Sequence, residues 1–114
     1  MDAFEMALLF DFYGGMLTDK QKECFDMRYN QDLSLGEIGQ ELGISRQGVY
    51  DNLSRTEGQL KKMEEKTGCV RRDRACRKAA AKIAVHAQAL ADHSDPLVSD
   101  LARQILAEAS ELEE

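Results

Sequence analysis

Between Leu33 and Leu60 the chain reads LSLGEIGQELGISRQGVYDNLSRTEGQL, a stretch that admits little besides two helices joined by a tight turn. Ser34 precedes Glu37 by three residues, the spacing of a capping box worth about 1 kcal/mol at a helix start. Ile38 and Leu42 stand one turn apart on one face, and Gly39 is small enough to admit a crossing helix. Gly43 supplies the left-handed residue that ends the first helix. Ile44 then plugs the corner, and Ser45 caps the second helix. There Val49, Asn52, Leu53, Thr56, Leu60 and Met63 fall in one stripe at about 100° per residue. This is a helix-turn-helix, whose second helix usually enters a major groove when the unit binds DNA. The same packing also serves helix pairs that never touch DNA.

The rest of the chain extends the helical pattern. A single Pro and no sustained alternating segment predict an all-α fold, and 114 residues leave room for one modest core. Residues 3–13, AFEMALLFDFY, predict a helix apolar on most of its circumference: Phe4, Leu8 and Phe12 on one face, Met6, Leu9, Phe10 and Tyr13 around the other. Gly14-Gly15 ends it. Thr18 with Gln21 opens a helix over 19–31. The second helix of the pair runs to about Lys66, where Gly68 interrupts it. Residues 1–66 are therefore expected to form a helical core containing the helix-turn-helix at 34–60. Residues 69–114 are expected to form a helical hairpin that is not an independent domain. Its first helix, 70–92, carries a narrow seam of Cys76, Ala80, Ile83, Ala87 and Leu90. Its second, 96–112, starts at Asp95-Pro96 and presents Val98, Leu101, Ile105 and Leu112. Three apolar seams exceed what one small core covers, so a two-fold homodimer is expected, centred on Phe4, Leu8 and Phe12 or on Ile83 and Leu90.

Charge is distributed unevenly. The formal net charge is −6. Residues 1–54 hold four Lys/Arg against ten Asp/Glu, residues 55–93 ten against five, and residues 94–114 one against six. The acidic first section contains the helix-turn-helix, the wrong sign for a DNA binder. Nothing is long and apolar enough for membrane insertion, and the N-terminus lacks a signal peptide's positive start, which predicts a cytoplasmic protein. Cys24, Cys69 and Cys76 are expected as free thiols.

Two surfaces are candidates for function. Arg46, Gln47, Tyr50 and Asp51 occupy the exposed start of the second helix, where Arg would meet guanine edges and Gln adenine. Asp51 would repel phosphate there, and a solvated or protein-binding face explains the same residues. The run RRDRACRK supplies the only concentrated positive patch: Arg71, Arg72, Arg74, Arg77 and Lys78, extended by Lys82. It suits phosphate, RNA above all since base-edge readers are absent, or equally the protein's own acidic region. Cys69, Cys76, His86 and His93 lack the spacing of a closed zinc site, so no metal is expected. No phosphate loop, nucleophile elbow or paired-carboxylate context appears. The chain reads as a non-enzyme without catalytic residues or cofactors.

The segments LFDFYGGMLTDKQ (Leu9 to Gln21) and LSLGEIGQELGISRQGVYDNLSRTE (Leu33 to Glu57) resemble the YlxM-like family of bacterial proteins, above all in DFY, LTDKQ and SRQGVYDN. The resemblance covers about the first 60 residues. It implies a helix-turn-helix similar to region 4 of sigma factors, with Arg46, Gln47 and Tyr50 at the positions that would meet bases. It also implies a link to the signal recognition particle pathway, through the particle's protein or its RNA. One departure is Gly48, where Ala is expected, at a cost of about 1 kcal/mol to the helix. The reading that follows is a non-enzymatic accessory protein of that pathway, acting by protein or RNA contact. A DNA-binding transcription regulator is the alternative, disfavoured by the acidic helix-turn-helix.

Overall fold

Most helices start where a short polar side chain takes up N–H groups that the first turn leaves without partners. In the computed structural model, which describes residues 2–113, Asp2 accepts from the Glu5 N–H at 2.8 Å and opens α1 (Ala3–Tyr13). A 3-10 turn over Gly14–Met16 leads to α2 (Asp19–Tyr29), opened by the complete Thr18–Gln21 capping box. The Ser34–Glu37 box opens α3 (Leu35–Leu42), and Ser45 opens α4 (Arg46–Thr67). Two longer helices follow, α5 (Cys69–Ala91) and α6 (Pro96–Glu113), the latter with Asp95 accepting from the Leu97 N–H at 2.9 Å. No strand occurs among the described residues, so the fold is all-α. No described helix is long and apolar enough to cross a membrane.

The chain divides into two compact units, Met1–Val70 and Arg71–Glu114. In the first, α1, α2 and α3 all pack on α4. One core cluster gathers Met6, Leu9, Tyr13, Leu17, Phe25, Leu60 and Val70; a second, beneath the helix-turn-helix, gathers Cys24, Ile38, Val49 and Leu53. Phe25 stacks on Phe10 at 4.4 Å and on Tyr29 at 4.3 Å, tying α1 to α2 through three rings. Glu64 closes the far end by accepting from the Tyr13 hydroxyl at 2.7 Å and from the Val70 N–H at 3.0 Å.

Several details differ from expectation. α1 buries Met6, Leu9 and Tyr13, while Phe4 and Phe12 stay 63% and 45% exposed, because only one side of the helix meets α4. α2 stops at Tyr29, where the Asp26 carboxylate draws in the side chains of Asn30 and Gln31 and Asp32 turns to φ +55°. Gly39 faces the start of the crossing helix α4, whose Arg46 backbone N would lie 3.6 Å from a Cβ there. It also makes room for the turn itself: a Cβ there would stand 2.7 Å from the Ile44 carbonyl oxygen. Gly43 takes φ +69° as expected. At Gly48 a Cβ would press to 3.2 Å from the capping Ser45 Oγ, so an Ala would crowd the cap as it strengthened the helix.

In the second unit Ser99 Oγ donates to the Ala91 carbonyl at 2.6 Å, and the Arg77 guanidinium donates to the Glu113 carbonyl, so α5 and α6 run antiparallel. The buried residues are small: Ala80, Ala87 and Ala91 on α5, Ser99, Ala102 and Ala109 on α6. The expected seams are corrected accordingly. Cys76, Ile83 and Leu90 stay exposed on α5, as do Leu101, Ile105 and Leu112 on α6, with Val98 half-buried. Side-chain size sets the distance between helix axes, and alanines at seven-residue intervals permit the closest approach.

Three substitutions test this packing. Gly39→Ala is expected to cost about 2 kcal/mol by forcing the turn off α3. Gly58→Ala, mid-helix with open space at the Cβ, is expected to gain up to about 1 kcal/mol, both read by urea denaturation. Thr56 is fully buried and its hydroxyl lacks a hydrogen-bond partner. Thr56→Val is therefore expected to raise stability by about 1 kcal/mol in the same assay.

Candidate functional site

The turn from Gly43 to Ser45 sets the first two turns of α4 so that Val49 and Leu53 are buried and most of their remaining surface is exposed. Ser45 Oγ accepts from the Gly48 N–H at 3.0 Å, which fixes where this helix starts. Arg46, Gln47, Tyr50 and Asp51 are all exposed. The structure brings the first three together: with Leu35 they line a shallow groove of ≈ 440 Å³. Asp51 lies one turn beyond and accepts from the Gln47 side-chain amide at 3.0 Å. That bond occupies one edge of the amide that would otherwise read adenine.

A second depression of ≈ 270 Å³ adjoins the first through Leu35 and Tyr50, and is completed by Arg28, Tyr29, Leu53, Ser54 and Glu57. Sequence reasoning missed these residues as a surface. The available signal was Leu35, an apolar residue directly behind the Ser34 cap. Arg28 donates to the Leu33 carbonyl at 3.0 Å, so part of its guanidinium is spent on the α2–α3 link. Tyr29 donates its hydroxyl to Glu57, which braces α2 against α4 along the floor of this depression. The groove thus offers Arg46 as a cation, Glu57 as an anion, and the faces of Leu35 and Tyr50 as apolar walls. Glu37, at the start of α3, holds its carboxyl below the ordinary range because it accepts from Ser34. The region is chemically mixed, which fits a peptide surface as readily as a duplex.

The second candidate surface lies in the other unit. Arg71, Arg72, Arg74, Arg77, Lys78 and Lys82 are all exposed on α5. At about 100° per residue, Arg71, Arg74, Lys78 and Lys82 fall within one quarter of the helix, diametrically opposite the buried alanines. Arg72 stands about a quarter turn away. Arg77 turns toward the hairpin instead, pairing with Asp73 at 2.8 Å and reaching the Glu113 carbonyl. It braces the two helices, so four cations rather than six make a single outward stripe.

Among the described residues no group of three or more His, Cys, Asp or Glu is placed to hold a metal. Cys24, Cys69 and Cys76 are free thiols, buried, half-buried and exposed in turn, and burial pushes the Cys24 thiol up. His93 Nδ1 accepts from the Asp95 N–H at 3.0 Å, a local cap at the hairpin turn.

Alkaline titration probes the wall of the groove. Burial first, then the bond to Glu57, pushes the Tyr29 phenol up to about 12, and burial also raises Tyr13. An unfolded tyrosine titrates near 10, so above that pH the unfolded chain releases a proton that the folded chain keeps. Stability is therefore expected to fall as pH rises from about 10 to 12. Tyr29→Phe should make denaturant curves less dependent on pH across that window, leaving the smaller contributions of Tyr13 and Cys24.

Sequence comparison adds relatives. A family profile described as "UPF0122: Putative helix-turn-helix protein, YlxM / p13 like" matches residues 2–97. A UPF0122 protein of Thermoanaerobacter sp. is 45% identical over 112 residues, covering 97% of this chain and 96% of the relative. One from Caldanaerobacter subterraneus subsp. tengcongensis is 54% identical over 82 residues, 72% of this chain and 70% of its own. One from Listeria innocua is 54% identical over 67 residues, 59% of this chain and 61% of its own.

Proposed function

This chain belongs to the UPF0122 family of YlxM / p13-like helix-turn-helix proteins, and on that premise we propose that it is a non-enzymatic, cytoplasmic accessory protein of the signal recognition particle pathway. The pathway is what the YlxM-like resemblance implies. The observation that carries the mode of action is the exposed stripe of Arg71, Arg74, Lys78 and Lys82, which projects from α5 on the side away from the buried alanines. Cations at this spacing along one side of a helix can follow a phosphate backbone without reading bases, the recognition that a structured RNA invites. The helix-turn-helix then serves as a second contact, with Leu35, Arg46 and Tyr50 presenting a mixed apolar and charged groove to a protein component.

A DNA-binding regulator is the second reading, favoured by one observation: Arg46, Gln47 and Tyr50 stand together at the exposed start of α4. Against it stand the Gln47–Asp51 bond and the excess of ten acidic over four basic residues in residues 1–54. A groove reader approaches phosphate on both flanks, and that charge raises the cost of each approach.

Binding of labelled particle RNA and of random duplex DNA at low salt separates the two. The triple variant Arg71→Glu, Arg74→Glu, Lys78→Glu is expected to lose RNA retention with helicity unchanged by circular dichroism. Arg46→Ala is expected to leave RNA binding nearly intact. The reverse outcome, with Arg46→Ala abolishing all binding and duplex DNA held with a steep salt slope, would replace the accessory role with the regulator.

A further inference from the structure

The hairpin leaves one of its faces apolar. Ile83 and Leu90 on α5 are 45% and 47% exposed; Leu97, Leu101, Ile105 and Leu112 on α6 are 66%, 49%, 41% and 53% exposed. On α5, Ile83 and Leu90 lie about a quarter turn to one side of the buried alanines, at about 100° per residue. On α6 the four apolar residues lie about a quarter turn the same way round from Ser99, Ala102 and Ala109. Because α6 runs antiparallel to α5, the same rotation on both helices turns both sets to one face of the hairpin. Six large side chains there meet water, although they had every chance to be the seam that the alanines became.

The two outer edges of this face differ in charge. Lys82 flanks it along α5; Glu108, Glu111 and Asp100 flank it along α6. The Ala91–Ser99 and Arg77–Glu113 bonds share one register, and in that register Lys82 is level with Glu108.

We propose that this face is where a second copy of the chain docks, hairpin on hairpin, in a four-helix arrangement whose two-fold axis runs parallel to the helices. Two face-to-face arrangements are compatible with two-fold symmetry. An axis across the helices would stack α5 on α5 and α6 on α6, setting basic edge on basic edge and acidic on acidic. An axis along them stacks α5 on the second copy's α6. It preserves level along the helices, so Lys82 meets the second copy's Glu108 without any adjustment of register, and each contact occurs twice. Charge selects this arrangement. The area is also adequate: α6 is about 27 Å long at 1.5 Å per residue, and two adjacent helices are about 20 Å wide. A face of that size, about 540 Å² in outline on each copy, clears the roughly 1,000 Å² in total that a specific interface needs.

The experiment is light scattering of the whole 114-residue chain across a dilution series from tens of micromolar to sub-micromolar. A mass of two chains is expected at the upper end; one chain throughout would overturn the proposal. Leu101→Glu with Ile105→Glu should raise the dissociation constant more than about a hundredfold. Val85→Glu, on the opposite side of α5, should leave it unchanged; a persistent dimer in the first variant would place the interface elsewhere. Exposed charge changes keep the test informative where the apolar variant loses helicity. Glu108→Lys is expected to weaken association roughly three- to tenfold. Adding Lys82→Glu should restore it; failure to restore would overturn the α5-on-α6 arrangement.

Discussion

The first unit depends on a single buried stripe along α4. Val49 and Leu53 at its start belong to the cluster under the helix-turn-helix, and Leu60 to the cluster beneath α1. One 22-residue helix thus supplies both cores, and the three other helices of the unit are placed by which turns of α4 they cover. Such a helix gains little stability from intrinsic propensity and much from the packing of its apolar face. Its exposed surfaces are fixed by the same event. With Val49 and Leu53 facing inward, Gln47 and Tyr50 lie about a quarter turn or more round the helix, while Arg46, on the same side as Leu53, is exposed as the first residue of α4.

The turn that precedes α4 adds precision to that arrangement. The Ile44 carbonyl oxygen lies 2.7 Å from where a Cβ at position 39 would stand, so α3 and the turn approach more closely than side chains normally allow. The Ser45 cap then fixes where α4 begins. Between them, one missing side chain and one hydroxyl set the pose of the residues that any partner of this face would meet. The polar contacts around them are largely satisfied within the unit, Gln47 by Asp51 and Tyr29 by Glu57. A partner therefore gains most from the cation of Arg46 and from the apolar walls.

In the second unit a different economy operates. Small residues close the hairpin, which brings the helices near each other but removes little apolar area from water, since alanine has little to remove. Most of the larger side chains are left outside, six of them on one face, with the cationic stripe on α5 pointing away from the seam. A cationic edge and an apolar face can coexist on a two-helix element only because helical periodicity separates them by a quarter turn or more.

Much of this was legible in the residue order. Local signals decide local structure, so the Ser34–Glu37 and Thr18–Gln21 boxes, the Gly43 and Gly68 breaks and the Asp95-Pro96 start could be read directly, as could the cationic run on α5. These depend on neighbours within four residues, and a linear sequence displays such neighbours. The faces chosen for burial were not legible. α1 is apolar all round, and only contact with α4 decides that Met6, Leu9 and Tyr13 go in while Phe4 and Phe12 stay out. The stripe through Ile83 and Leu90 competes with the one through Ala80, Ala87 and Ala91, and hydrophobicity alone favours the larger residues. How near two helix axes come depends on both helices at once, and it is that mutual fit, absent from either segment alone, that selected the alanines.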